Sequence, residues 1–134
     1  MSLIVDASVA VKWFAEEPLS DKAELVLAGP DDLIAPALVL AELGNALRKK
    51  AAQNILTREQ AIDALREAPS FFVRLYPLPD LALRATEIAF DLRHPVYDCF
   101  YLALAERERL PLVSADERLL RKRRELKGIE LRAL

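Results

Sequence analysis

Short uninterrupted apolar runs alternate with longer stretches of helical periodicity along this chain. Residues 3–5 form the first run, without polar alternation, as in a strand buried on both faces. Residues 7–14 read as a helix with Val9 and Trp13 one turn apart, and residues 19–28 as a second, stopped by Gly29-Pro30. A short second strand covers 33–35. Pro36 is expected to open a helix that runs to about residue 50, with Leu40, Leu43 and Leu47 as its buried stripe. Thr57 starts another helix, and Gln60 completes a capping-box pattern. The third strand is expected over 71–76, closed by Pro77 and Pro79. Asp80 then caps a helix whose apolar positions are Leu81, Ala85, Ile88 and Leu92. Residues 95–109 read as a helix and 112–114 as the fourth strand. Asp116 caps a basic helix ended by Gly128, and 129–132 is a candidate edge strand.

Strands separated by helices predict an α/β fold with a parallel sheet and helices on both faces. No internal repeat, low-complexity segment or linker interrupts the pattern, so residues 1–134 read as one domain. At 53% hydrophobic and 30% charged residues with only three glycines, the chain has the means to bury one core, and disorder is excluded. The lone Cys99 excludes an intrachain disulfide and points to a reducing, cytoplasmic setting. It lies in an apolar run and reads as a small buried hydrophobe; as a catalytic thiol it would need His94, the only histidine, as its base. The N-terminal apolar stretch has no basic flank and stops at Asp6, unlike a signal peptide. The longest charge-free apolar stretch, 33–41, is too short to span a bilayer.

Four acids stand where acids are costly. Asp6 ends the first buried strand, and Asp116 follows the fourth by two residues. Ligands of open parallel sheets bind outside the carboxyl ends of the strands, so both point to one edge, with Ser8 and Ser114 near them. Glu42 lies mid-helix among Leu38, Val39, Asn45 and Ala46, a face expected to be inside; Asn45 is the candidate to support its carboxylate. Asp98 lies in the first turn of the 95–109 helix. Each acid has a plainer role open to it: Asp6 and Asp116 as helix N-caps, Asp98 against a helix dipole, Glu42 paired with a buried arginine. Four such placements together favour one shared site.

Clustered carboxylates repel, and some stay protonated unless a cation sits among them. Oxygen-only ligands suit magnesium, with manganese as a substitute. Metal-activated water hydrolysing a phosphodiester asks little else of the protein. No serine–histidine–acid set, zinc-like spacing or glycine-rich phosphate loop is present. The net charge of −2 argues only weakly against a nucleic-acid partner, since setting the four acids aside leaves the rest of the chain at +2.

The segments Val5-Asp6-Ala7-Ser8, Ala35-Pro36 through Glu42 to Ala46-Leu47, Pro95-Val96-Tyr97-Asp98 with Tyr101-Leu102-Ala103-Leu104-Ala105, and Leu112-Val113-Ser114-Ala115-Asp116-Glu117-Arg118-Leu119 occur in that order. Together they resemble the PIN-domain nucleases, in particular the VapC-type toxins of toxin–antitoxin pairs, over essentially the whole chain. Ser114 stands where that family commonly has threonine, and the hydroxyl is kept. The resemblance implies a three-layer α/β/α fold with a parallel sheet of about five strands. It further implies magnesium-dependent RNA cleavage, a homodimer and inhibition by a cognate antitoxin.

Three rival readings share parts of this pattern. An aspartyl-nucleophile phosphatase wants a second acid at position 8, where Ser8 stands. A receiver domain wants paired acids at the first strand and a late lysine. A non-catalytic PIN-like module that binds RNA or protein need not keep all four acids. The candidate RNA contacts are Arg48, Lys49 and Lys50 and, after Asp116, Arg118, Arg121, Lys122, Arg123 and Arg124, though interleaved Glu117 and Glu125 also suit a solvated charged face. Trp13, Phe14 and Tyr97 are possible base-stacking groups, with core or dimer packing the stronger expectation for the first two. Trp13, Phe14, Leu38 and Leu40 together offer apolar surface for a dimer.

Overall fold

The computed structural model describes residues 1–134. Five strands form one all-parallel sheet in the order β3-β2-β1-β4-β5: β1 (Ser2–Val5), β2 (Asp32–Pro36), β3 (Arg74–Tyr76), β4 (Leu112–Ser114) and β5 (Leu131–Ala133). The central strand β1 pairs Ile4 with Ile34 on one side and with Leu112 on the other. Ile4 and Val5 are fully buried, which is why β1 needs no polar alternation. The chain leaves β1 towards β2 and β3 on one side and later fills β4 and β5 on the other. The carboxyl ends of β1 and β4 thus form the switch point where such sheets hold ligands.

Seven helices cover the sheet: α1 (Ala7–Ala10), α2 (Ser20–Ala28), α3 (Leu38–Ala52), α4 (Arg58–Glu67), α5 (Ala82–Leu92), α6 (Val96–Glu108) and α7 (Glu117–Leu120). The helix α6 lies against β1, β2 and β4, with α5 packed on it. Cys99 and the run from Tyr101 to Ala105 are buried, so α6 is enclosed nearly all round. The other group is built on α1, which touches α2 and α3, with α3 paired to α4. Leu43 and Leu47 seal α3 against Ala61 and Ala64 of α4. The capping box at Thr57 and Gln60 forms in full.

Several boundaries differ from the sequence pattern, each for a local reason. Pro36 closes β2, paired with Tyr76, and α3 opens two residues later. Proline at a strand end gives up no ladder bond, and its fixed φ suits the extended conformation as well as a helix start. The third strand is shorter than expected because residues 68–71 form a 3₁₀ turn that turns Phe71 towards Trp13, ring centroids 5.7 Å apart. Asp80 caps nothing: it ends a 3₁₀ turn, and buried Leu81 occupies the N-cap position of α5 without a side-chain bond. The basic segment after Asp116 is one helical turn, α7, and a separate 3₁₀ turn over Arg123–Glu125.

Trp13 and Phe14 are partly buried and pack within the chain. Trp13 donates its indole N–H to the Ala23 carbonyl at 2.9 Å and packs on Phe71 and Phe72. Phe14 stacks on Phe71. Both rings are engaged by Phe71, and Leu38 and Leu40 are half-buried against the core. The large exposed apolar side chains are others, Leu83 and Phe90 on α5 among them.

Candidate functional site

Asp6 follows β1 and caps α1, and the residue is 4% exposed. Both oxygens are taken. Oδ1 accepts from the Ser8 hydroxyl at 2.5 Å, the Ser8 N–H at 3.1 Å and the Val9 N–H at 3.3 Å. Oδ2 accepts from the Ser114 hydroxyl at 2.5 Å, across from β4. Burial still pushes the Asp6 carboxyl up to about 7, against the lowering effect of the two hydroxyls and with the Asp98 charge adding to the rise. The serines are themselves held: Ser8 accepts from the Ala115 N–H at 2.9 Å and Ser114 from the Asp116 N–H at 3.0 Å. Two hydroxyls thus stitch the ends of β1 and β4 together around one carboxylate.

Asp116 caps α7, its Oδ1 accepting from the N–H groups of Arg118 at 2.9 Å and Leu119 at 3.4 Å. Glu42 projects from α3, and its Oε1 accepts from the buried Tyr101 hydroxyl at 2.6 Å. Burial raises the Glu42 carboxyl, Tyr101 lowers it, and the charges of Asp98 and Asp116 raise it further. Asp98 lies in the first turn of α6 with Oδ2 2.6 Å from His94 Nε2. Burial raises its carboxyl as well; His94 opposes this, Asp116 adds to it, and Arg118 lowers it.

Asp98 thus acts on both Asp6 and Glu42, and Asp116 on both Glu42 and Asp98. The four acids share one electrostatic site at the carboxyl edge of the sheet. They do not meet as a ready-made cage: no three acidic, histidine or cysteine groups stand close enough together to hold one ion. The physical reason is that bare carboxylates repel, and each has turned to a donor of its own. The donor set nevertheless fits a hard divalent cation. Asp98 Oδ1, Asp116 Oδ2 and Glu42 Oε2 accept no hydrogen bond from the protein. Three free carboxylate oxygens in a partly buried, mutually repelling set are the groups magnesium or manganese takes.

The plainer roles also hold in part. Asp6 and Asp116 are N-caps as well as members of the cluster. Glu42 pairs with a tyrosine and not with a buried arginine. Asn45 is exposed and makes no side-chain hydrogen bond, so it does not support Glu42; one residue of helical phase carries it past the buried face. Tyr101 does that work instead. Tyr101 lies on α6 three residues after Asp98, and His94 precedes the helix by two residues.

Cys99 is buried and its thiol is pushed up to about 12, by burial and then by the Asp98 charge, which excludes a thiolate nucleophile. Among the basic residues, Lys50 is withdrawn from the candidate RNA contacts: its Nζ lies 2.5 Å from Glu17, which also binds Lys12 at 2.9 Å. Lys122 is 3.8 Å from Glu125. Arg48, Lys49, Arg118, Arg121, Arg123 and Arg124 are exposed. Tyr97, next to Asp98, is 61% exposed.

Residues 3–125 match the model of the PIN domain family. Ribonuclease VapC3 of Pyrobaculum aerophilum is 32% identical over 124 residues, covering 91% of this chain and 95% of that protein. VapBC2 from Rickettsia felis, solved bound to a DNA fragment from their promoter, superposes with a TM-score of 0.73 over 100% of this chain and 99% of its own at 16% identity. A toxin–antitoxin complex from Klebsiella pneumoniae gives a TM-score of 0.70, 18% identity and coverage of 99% and 96%. At those two identities the likeness speaks for the three-layer fold alone. With the family match spanning nearly the whole chain and a relative aligned over more than nine-tenths of each, this chain belongs to the PIN-domain family, among its VapC members.

Proposed function

We propose that this protein is an endoribonuclease that hydrolyses RNA phosphodiester bonds with magnesium, or manganese in its place, held by Asp6, Glu42, Asp98 and Asp116. The observation that carries the reading is the set of four mutually repelling acids at the β1/β4 switch point, three with an oxygen that no protein donor occupies. The name of the Pyrobaculum relative supports the same activity. When bound, such an ion supplies water activation and charge stabilisation at the phosphate. The chain's own residues do the rest. Ser8 and Ser114 fix the Asp6 carboxylate, Tyr101 fixes Glu42, and His94 holds Asp98. Arg118 beside Asp98, with Arg121, Arg123 and Arg124 beyond it, and Arg48 and Lys49 on α3, provides the positive surface for the RNA backbone.

The reading extends to a toxin held inactive by an antitoxin protein, to a homodimer and to a cytoplasmic setting. The kinship with VapC proteins motivates the first of these. No helix is long and apolar enough to cross a membrane. A second reading, a non-catalytic PIN-like module that binds RNA or protein, draws on the separation of the acids as they stand.

Cleavage of a labelled single-stranded RNA in magnesium and in EDTA separates the two. The expected result is cleavage that needs the metal and is lost in a folded Asp98→Asn protein. Full activity in EDTA, or a wild-type rate in Asp98→Asn, overturns the proposed mechanism. RNA bound but never cut supports the module.

A further inference from the structure

The corner between α5 and α6 places one imidazole against one acid of the site, and the local sequence explains why. Asp98 is the third residue of α6. In a capping box the side chain at this position reaches back to the backbone N–H of the N-cap residue. Here the N-cap is Pro95, which has no N–H to offer. The Asp98 carboxylate is left without that anchor, and its one protein partner is His94 Nε2, 2.6 Å from Oδ2. The His94 backbone is anchored and its imidazole is enclosed. Arg93 takes the left-handed conformation (φ 51°) that ends α5, the His94 N–H donates to the Ala89 carbonyl at 3.1 Å, and the His94 side chain is 1% exposed. Asp98 is 20% exposed, and its Oδ1 is free.

We infer that His94 is a positioning residue, whose Nε2–H holds one oxygen of Asp98 so that the other is presented to the cation. The inference rests on the proposed metal-dependent reading of the site. It assigns a role to the single histidine that is distinct from ligation: the imidazole turns a side chain with two soft torsions into a fixed one. A group that orients a carboxylate ligand in this way typically changes metal affinity about 10–100-fold when removed.

The test is Mn²⁺ binding to the whole chain, by calorimetry and by the electron paramagnetic resonance of the bound ion, with thermal melts of each metal-free variant. His94→Leu fills the volume without a donor, and His94→Gln restores an amide N–H near the position of Nε2. The expected result is Mn²⁺ affinity lowered about 10-fold or more in His94→Leu and largely recovered in His94→Gln, with a broadened resonance in the leucine variant alone. Should His94→Leu fail to fold, the comparison passes to His94→Gln against His94→Met, which is unbranched and donor-free. Wild-type Mn²⁺ affinity in a folded donor-free variant, while Asp98→Asn loses the ion, overturns the role of His94 and leaves the metal reading standing. Absence of Mn²⁺ binding to the wild-type protein overturns both.

Discussion

Asp6 concentrates the chemistry of this site in one carboxyl group. It is buried, accepts four hydrogen bonds, and still keeps a proton up to about pH 7 because burial outweighs its donors. The unfolded chain releases that proton near the ordinary carboxylate value of about 4. Between those values the folded state binds more protons, so stability falls as pH rises through the window and the penalty is complete above the folded value. At about 1.4 kcal/mol per tenfold change in proton affinity, the loss amounts to a few kcal/mol. Metal-free melts from pH 4.5 to 8 should show a falling midpoint, Asp6→Asn should flatten the slope, and saturating magnesium should restore the midpoint at pH 8. A pH-independent midpoint would remove Asp6 as the source. Tyr101→Phe isolates the neighbouring acid. Losing the donor to Glu42 Oε1 should cost about 1.5–3 kcal/mol in urea unfolding, since the bond reaches a carboxylate.

At the scale of the element, the same residue can be both cap and ligand, and substitutions can part the two. Asparagine caps a helix as well as aspartate does but carries no charge. Asp116→Asn should therefore keep the melting midpoint of the wild type while losing metal-dependent cleavage. Asp116→Ala should lose the cleavage and, in addition, about 1 kcal/mol of stability. If the asparagine variant cleaves normally, Asp116 is a cap only. Thr57→Ala offers the converse control at α4: a similar loss of stability from a broken capping box, with cleavage unchanged. Arg123→Ala, in the exposed 3₁₀ turn, should weaken RNA binding and reduce its salt dependence without altering Mn²⁺ affinity.

Across the whole molecule, the aromatic cluster decides where large side chains go. Trp13, Phe14, Phe71 and Phe72 pack together where the end of the first helical segment meets the turn before β3. Trp13→Ala should cost about 3–5 kcal/mol, as expected of a large core side chain, and should leave the mass seen by light scattering unchanged. A change of oligomeric state without loss of stability would place Trp13 at an interface.

The element order, the parallel sheet and the positions of the four acids were legible in the sequence because they rest on local signals. An unbroken apolar run marks a strand buried on both faces, a 3.6-residue stripe marks a helix, and a carboxylate stands out against either. Asp6 and Asp116 could be placed at strand ends for the same reason. Only the tertiary structure decided which donors those acids meet. Tyr101 reaches Glu42 from another helix, Ser114 reaches Asp6 from a neighbouring strand, and Glu17 claims Lys50. Such pairings join residues far apart in the chain, and no periodicity records them. The same holds for Trp13 and Phe14: large apolar side chains look alike in a sequence whether they fill a core or a contact, and only the tertiary structure brings Phe71 against both.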